Sequence, residues 1–188
     1  MTREGDVPGT PSAQWRVVRE TSTRGPSGHM RILTRRYVLP DGRQSDWDLL
    51  DGGRTVAVLA LTGTGRIVLV RQFRPGPARV LDEMPGGYVD EGEDIAEAAA
   101  RELLEESGYA GEIEVVGQTW LSATATTRRH VAVAHNCRPV AEPRPGPDED
   151  EFCQPVLVGL GEYRSLLRAG AMTDVDLGYL ALDHLGLL

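Results

Sequence analysis

Lysine is absent from this chain: all 20 basic side chains are arginine. That uniformity reads as GC-rich codon usage, with no chemistry attached to it. Cysteine is nearly absent as well. Cys137 and Cys153 are too few and too unpatterned for a disulfide framework or a zinc site, so reduced thiols in a cytoplasmic setting are the default. No apolar run approaches the 18 or so residues that span a bilayer, and residues 1–13 lack the apolar core of a signal peptide. A membrane role is therefore not expected. The net charge of −8 comes without any basic stripe to neutralise phosphates, which excludes bulk nucleic-acid binding. Aromatic residues make up only 5% of the sequence, so Trp15, Trp47 and Trp120 can be weighed singly. Each either stacks a nucleobase or fills a core or subunit interface. The four histidines share no spacing and are assigned to no metal.

What is present suits one domain: 188 residues, 40% of them hydrophobic, can bury a sizeable core. Residues 1–14 are polar and rich in Gly and Pro, a frayed start; the domain is expected over 15–188. Strands are expected at 15–20, 30–39 and 45–50, forming an antiparallel β-element over 15–50. The β-branched apolar runs at 55–61 and 67–73 flank Thr62-Gly63-Thr64-Gly65 as a hairpin of buried strands. Further strands are expected at 112–117, 129–134 and 152–159, with helices at 161–168 and 174–188. Strands on either side of a central helix, with helices last, predict a mixed α/β sandwich.

That central helix carries the chemistry. Asp94 is placed to be its N-cap, Glu97 stands three residues on as in a capping box, and Gly108 suits the left-handed position past its end. A period of 100° per residue puts Ala96, Ala99, Ala100 and Leu103 on one apolar stripe. Glu102, Glu105 and Glu106 fall on an arc beside it, with Arg101 and Glu97 on the far side. Like charges at i, i+3 and i+4 repel by a few tenths of a kcal/mol per pair. A hard divalent cation is the expected compensation, since carboxylate oxygens suit Mg²⁺ or Mn²⁺. An ordinary solvated charged face is the alternative.

The wider spacing resembles the Nudix box, Gly-x5-Glu-x7-Arg-Glu-U-x-Glu-Glu-x-Gly-U, with U a bulky aliphatic residue. Gly87, Glu93, Arg101, Glu102, Glu105, Glu106 and Gly108 match its fixed positions and Leu103 the first U, while Tyr109 departs at the second. At roughly 7% per residue type, a chance match somewhere in the chain is about one in a million. Outside the box the chain is similar to ADP-ribose pyrophosphatase-like members. Gln72-Phe73-Arg74 looks like their Gln-aromatic-Arg strand end. Leu81-Asp82-Glu83-Met84-Pro85-Gly86-Gly87 looks like their entry to the box, with Gly86 in place of Ala. Thr173-Asp174 looks like their C-terminal turn. A departure follows the box: residues 120–130 contain no proline, and Arg128 and Arg129 stand where an acid is expected.

The resemblance implies an α/β/α sandwich with a mixed sheet and an N-terminal antiparallel β-element, the catalytic core over 51–188, and a homodimer. It implies Mg²⁺-dependent hydrolysis of a nucleoside diphosphate linked to a sugar, with ADP-ribose going to AMP and ribose 5-phosphate as the leading reaction. Glu102, Glu105 and Glu106 are the implied metal ligands, with Glu105 also in a catalytic role and the Gly86 carbonyl added by the resemblance. Glu93 and Arg101 are expected to pair with box carboxylates and orient them. In the acidic run at 148–151, Glu149 aligns with a general base and Glu151 with a further ligand; a solvated charge run is the alternative. Arg74 is either a phosphate clamp or the salt-bridge partner of Glu83, and both are carried as substrate-contact candidates. Arg128 and Arg129 either grip phosphate or a sugar acid, or are solvent-facing charges. Hydrolysis of nucleoside triphosphates or damaged nucleotides, and a non-catalytic nucleotide sensor, are the rival functions.

Overall fold

The computed structural model describes residues 13–144 and 152–188, and these group into two compact units. The first comprises residues up to Gly52 together with Ser122–Thr126. Its core is a three-stranded antiparallel sheet, β1 (Arg16–Arg24), β2 (Arg31–Val38) and β3 (Gln44–Asp51), in that order. Gly28 and Gly42 have φ of 83° and 84°, the left-handed backbone that lets each hairpin reverse. Trp15 packs edge-on to Tyr37 at 5.5 Å and tilted on Trp47 at 5.8 Å. The segment 122–126 adds to β3, with the Leu50 amide donating to the Thr124 carbonyl and the Thr126 amide to that of Leu50, both at 2.9 Å.

The second unit comprises Gly53–Leu121 and Thr127–Leu188. Its sheet runs β10 (Gln154–Val158), β5 (Ile67–Arg74), β4 (Arg54–Thr62), β9 (Arg128–Pro139), β8 (Tyr109–Trp120). Only β4 and β9 are parallel, so the sheet is mixed. Alternation along the strands loads both faces. Val56, Val58, Ala60, Val68, Ala132 and Ala134 face α1 (Ile95–Ser107), where Ala98, Ala99 and Leu103 meet them. Ala57, Leu59, Ile67, Leu69, Val131 and Val133 pack with residues of α2 (Leu160–Arg168) and α3 (Val175–His184), among them Tyr163, Leu177 and Leu182. This is the α/β/α arrangement expected.

Two short strands, β6 (Arg79–Glu83) and β7 (Gly86–Tyr88), escape periodicity. They exist because β4 and β5 pair only at Ala60↔Val68 and Leu61↔Ile67. Beyond those pairs β5 takes β6 as its partner and β4 takes β7. A three- to five-residue strand that borrows its hydrogen bonds from longer neighbours leaves little trace in hydropathy. The strands expected at 112–117 and 129–134 are each longer, because β8 and β9 pair from Tyr109↔Pro139 to Trp120↔Arg128.

The phase of the box helix also differs from the periodic reading. Its buried residues are Ala98, Ala99, Leu103, Glu106 and Ser107, whereas Ala100 is exposed and Ala96 intermediate. The core-facing arc is rotated toward Glu106, so that carboxylate lies inside it instead of beside it.

Candidate functional site

Local sequence fixes the box helix. The Asp94 carboxylate accepts the Ala96 amide at 2.8 Å while Glu97 accepts the Asp94 amide at 3.5 Å, closing the capping box. At the far end Gly108, with φ of 72°, donates its amide to the Leu104 carbonyl at 2.9 Å.

Arg101 organises the carboxylates. Its guanidinium bonds both oxygens of Glu93, Nε to Oε1 at 2.9 Å and Nη2 to Oε2 at 3.0 Å. Nη1 reaches Glu102 at 2.8 Å and Glu105 at 3.3 Å, and Nη2 donates to the Tyr88 carbonyl at 2.9 Å. Arg101 therefore does not lie apart from the acidic arc, and part of the repulsion assigned to a cation is offset by this arginine. The hydrogen bond that Arg101 donates to Glu93, working against burial and aided by Glu102, raises the arginine's pKa further. Arg101, together with the Asp90 amide, holds the Glu93 carboxyl below the usual range.

Glu106 is 5% exposed. Its Oε2 accepts the Gly86 amide at 2.7 Å, and the Cys153 thiol lies 3.7 Å from its Oε1. The two glycines at the strand end make this approach possible. A Cβ on Gly86 would stand 2.2 Å from the Val56 carbonyl oxygen, and one on Gly87 only 2.5 Å from Glu102 Oε1. At Gly86 the backbone of Val56 leaves no room for a side chain, whereas one at Gly87 would displace the Glu102 carboxylate. The donor types fit a hard cation: three carboxylates, Glu102, Glu105 and Glu106, stand on one helix, and Gly86 meets Glu106 through its amide. Among the described residues no group of three acidic, histidine or cysteine side chains is drawn together around one point. Arg101 and the Gly86 amide engage those carboxylates here.

A second charge network joins Arg74, Glu83, Arg129, Asp174 and Asp176. Glu83 is fully buried and accepts the Arg74 guanidinium at one oxygen and the Thr173 amide, at 2.6 Å, at the other. Burial alone would depress the Arg74 pKa; the pairing with Glu83 raises it on balance. Arg129 is 7% exposed, and its guanidinium bonds Asp174 and, at 2.9 and 3.1 Å, both oxygens of Asp176. It is not the solvent-facing charge of the alternative reading, since both terminal nitrogens meet carboxylates. Burial pushes the Asp174 carboxyl up, opposed by Arg129. Arg128 instead lies over the Trp120 ring, 4.0 Å from its centre. Glu149 and Glu151 lie outside the described residues.

The family model of the NUDIX domain matches residues 51–174. This chain belongs to the Nudix hydrolase family. Among its Nudix relatives is the ADP-ribose pyrophosphatase of Bacillus subtilis (strain 168), 34% identical over 151 residues that cover 79% of this chain and 80% of that one. The methanol dehydrogenase activator of Bacillus methanolicus is 35% identical over 142 residues, covering 72% and 74% of the two chains. A solved ADP compounds hydrolase shares the Nudix fold with a TM-score of 0.75, covering 95% of this chain and all of that one at 17% identity.

The box in this Nudix chain was legible from spacing alone. Its buried backing was less so. Spacing marks Asp174 only as part of a turn and Asp176 not at all; nothing in local sequence pairs either with an arginine 45 or more positions earlier. Gln72, 6% exposed beside Cys153, was noted only as part of a strand-end motif.

Proposed function

We propose that this protein hydrolyses the diphosphate linkage of a nucleoside diphosphate joined to a sugar, with ADP-ribose giving AMP and ribose 5-phosphate as the leading case. The observation that carries the reading is the close meeting of Glu102 and Glu106 with the Gly86-Gly87 backbone, with Arg101 linking Glu102 to Glu105. Relatives named as ADP-ribose pyrophosphatase and ADP-sugar pyrophosphatase, the latter from Mus musculus, support the substrate class.

Glu102, Glu105, Glu106 and the Gly86 carbonyl, with Glu151, would hold Mg²⁺, or Mn²⁺ in its place. Such an ion supplies charge neutralisation at phosphoryl oxygens and a more acidic water. The residues themselves supply the rest. Arg101 and Glu93 fix the carboxylate geometry, a job for which removal of a supporting partner typically costs 10- to 100-fold. Arg74, already charged beside Glu83, can turn part of its donor fork to the diphosphate. Glu149 is assigned as the base that accepts the proton of the attacking water, and Arg128 to an outer contact with substrate. A cytoplasmic homodimer completes the reading.

The test is Mg²⁺-dependent release of AMP across ADP-ribose, ADP-glucose, diadenosine polyphosphates and deoxynucleoside triphosphates. Fastest turnover of an ADP-sugar is expected. Preference for the triphosphates would move the assignment to nucleotide clearance, and tight binding with no turnover on any substrate would make the chain a sensor. Glu149→Gln should lower kcat by about 10²- to 10⁴-fold; an unchanged rate removes Glu149 from the chemistry.

A further inference from the structure

We propose that Gln72 is a substrate-binding donor, its side-chain amide reserved for a non-bridging oxygen of the diphosphate; this rests on the hydrolase reading above. Gln72 lies on β5, four residues from Val68, and alternation turns it to the same face, toward α1. It is 6% exposed, and among the described residues its Nε2 has no hydrogen-bond partner. Buried amides are seldom left in that state, because an unmatched donor forfeits the full cost of its desolvation. Where one persists, a missing acceptor is the first explanation to test.

The surroundings say what that acceptor would be. The Gln72 Oε1 stands 3.9 Å from the Cys153 sulfur, and that sulfur is 3.7 Å from Oε1 of Glu106. Two residues further along the same strand face is Arg74. The Gln72 side chain therefore approaches a box carboxylate through the Cys153 sulfur and shares its strand face with the arginine assigned to phosphate. No acceptor among the described residues, Glu106 included, lies within hydrogen-bond reach of it, and Arg74 is itself a donor. A diphosphate held by Arg74 brings oxygens to that place. A neutral amide suits this position better than a second cation would. It adds a directed hydrogen bond without competing for the carboxylates that would hold the metal, and the low dielectric around it strengthens the bond.

The experiment is Gln72→Met, which keeps length and volume and deletes the donor. If the amide is reserved for substrate, the variant folds at least as stably as the parent, because a buried unmatched group has gone. Its kcat/KM for the nucleoside diphosphate sugar then falls roughly 10- to 100-fold, with Mn²⁺ affinity unchanged. Undiminished kcat/KM overturns the proposal. So does a loss of thermal stability that parallels the loss of activity, since the amide would then be structural. If the parent protein turns over none of the nucleotide sugars, the proposed function fails first, and calorimetric affinity for ADP-ribose decides the point. A tenfold weaker complex with Gln72→Met upholds the donor role; equal affinity ends it.

Discussion

Two charge networks in the larger unit are built on opposite plans. The first joins Glu93, Arg101, Glu102 and Glu105, all within thirteen residues of sequence, with side chains 13–36% exposed. The second joins Arg74, Glu83, Arg129, Asp174 and Asp176 from four separated segments, and Glu83 and Arg129 are 0% and 8% exposed at their side chains. In the first, charges meet because a helix and its preceding turn carry them together, and water softens each interaction. In the second, charges meet only when the sheet, β6 and the start of α3 have packed, and desolvation makes every missing partner expensive. The contrast predicts different consequences: removing a member of the first network should show mainly in turnover, and removing a member of the second mainly in stability.

The most severe test is to remove Arg129 from the buried network. Arg129→Met leaves Asp174 without its principal partner and should cost about 3–5 kcal/mol in urea unfolding. A loss below 1 kcal/mol would mean that the two networks do not differ in kind. Next comes Glu105→Gln, expected to lower kcat on the order of 100-fold, about 2.7 kcal/mol at the transition state, while the thermal midpoint stays within a few degrees of the parent. Comparable losses of folding and turnover would break the division of labour. Arg101→Gln should be milder, about tenfold in kcat with a weaker apparent affinity for Mg²⁺ as the carboxylates lose their common anchor.

The smallest effect is in the acid limb, where the networks have opposite signs. Glu93 has a depressed pKa, so its stabilisation is present above the usual carboxylate range and is lost as pH falls through that depressed value. Asp174 has a raised pKa, first by burial, so it penalises the fold above its folded value and the penalty fades as pH falls through it. Glu93→Gln should therefore flatten the acid limb of the stability profile. The destabilisation by Arg129→Met should be largest near neutral pH and shrink as Asp174 takes up its proton. A pH-independent deficit in Arg129→Met would break this assignment.

The extent to which sequence foretold these regions follows the same division. The box helix, with its cap at Asp94, its stop at Gly108 and its acidic residues, depends on contacts between neighbours three or four residues apart, and those are written in spacing. The long buried strands declared themselves by β-branched apolar runs. The exact buried face of the helix did not, because Ala96, Ala98, Ala99 and Ala100 are equivalent in hydropathy and only the sheet beneath selects among them. The partnering of Arg129 with Asp174 and Asp176 was likewise invisible: Arg128 and Arg129 are adjacent and chemically identical, yet strand alternation sends one to Trp120 and the other into the interior.

Sequence by itself determined the chemical kind of this protein, since a helix brings its own carboxylates and arginine together wherever it is placed. Tertiary structure alone decided what faces them: the parting of β4 and β5 that admits β6 and β7, the seating of Gly86 against Val56 and Glu106, and the Gln72 amide that finds no partner among the described residues. The reason is physical. Contacts within one helix have fixed geometry from residue spacing, whereas contacts between distant segments exist only after burial has chosen which faces meet.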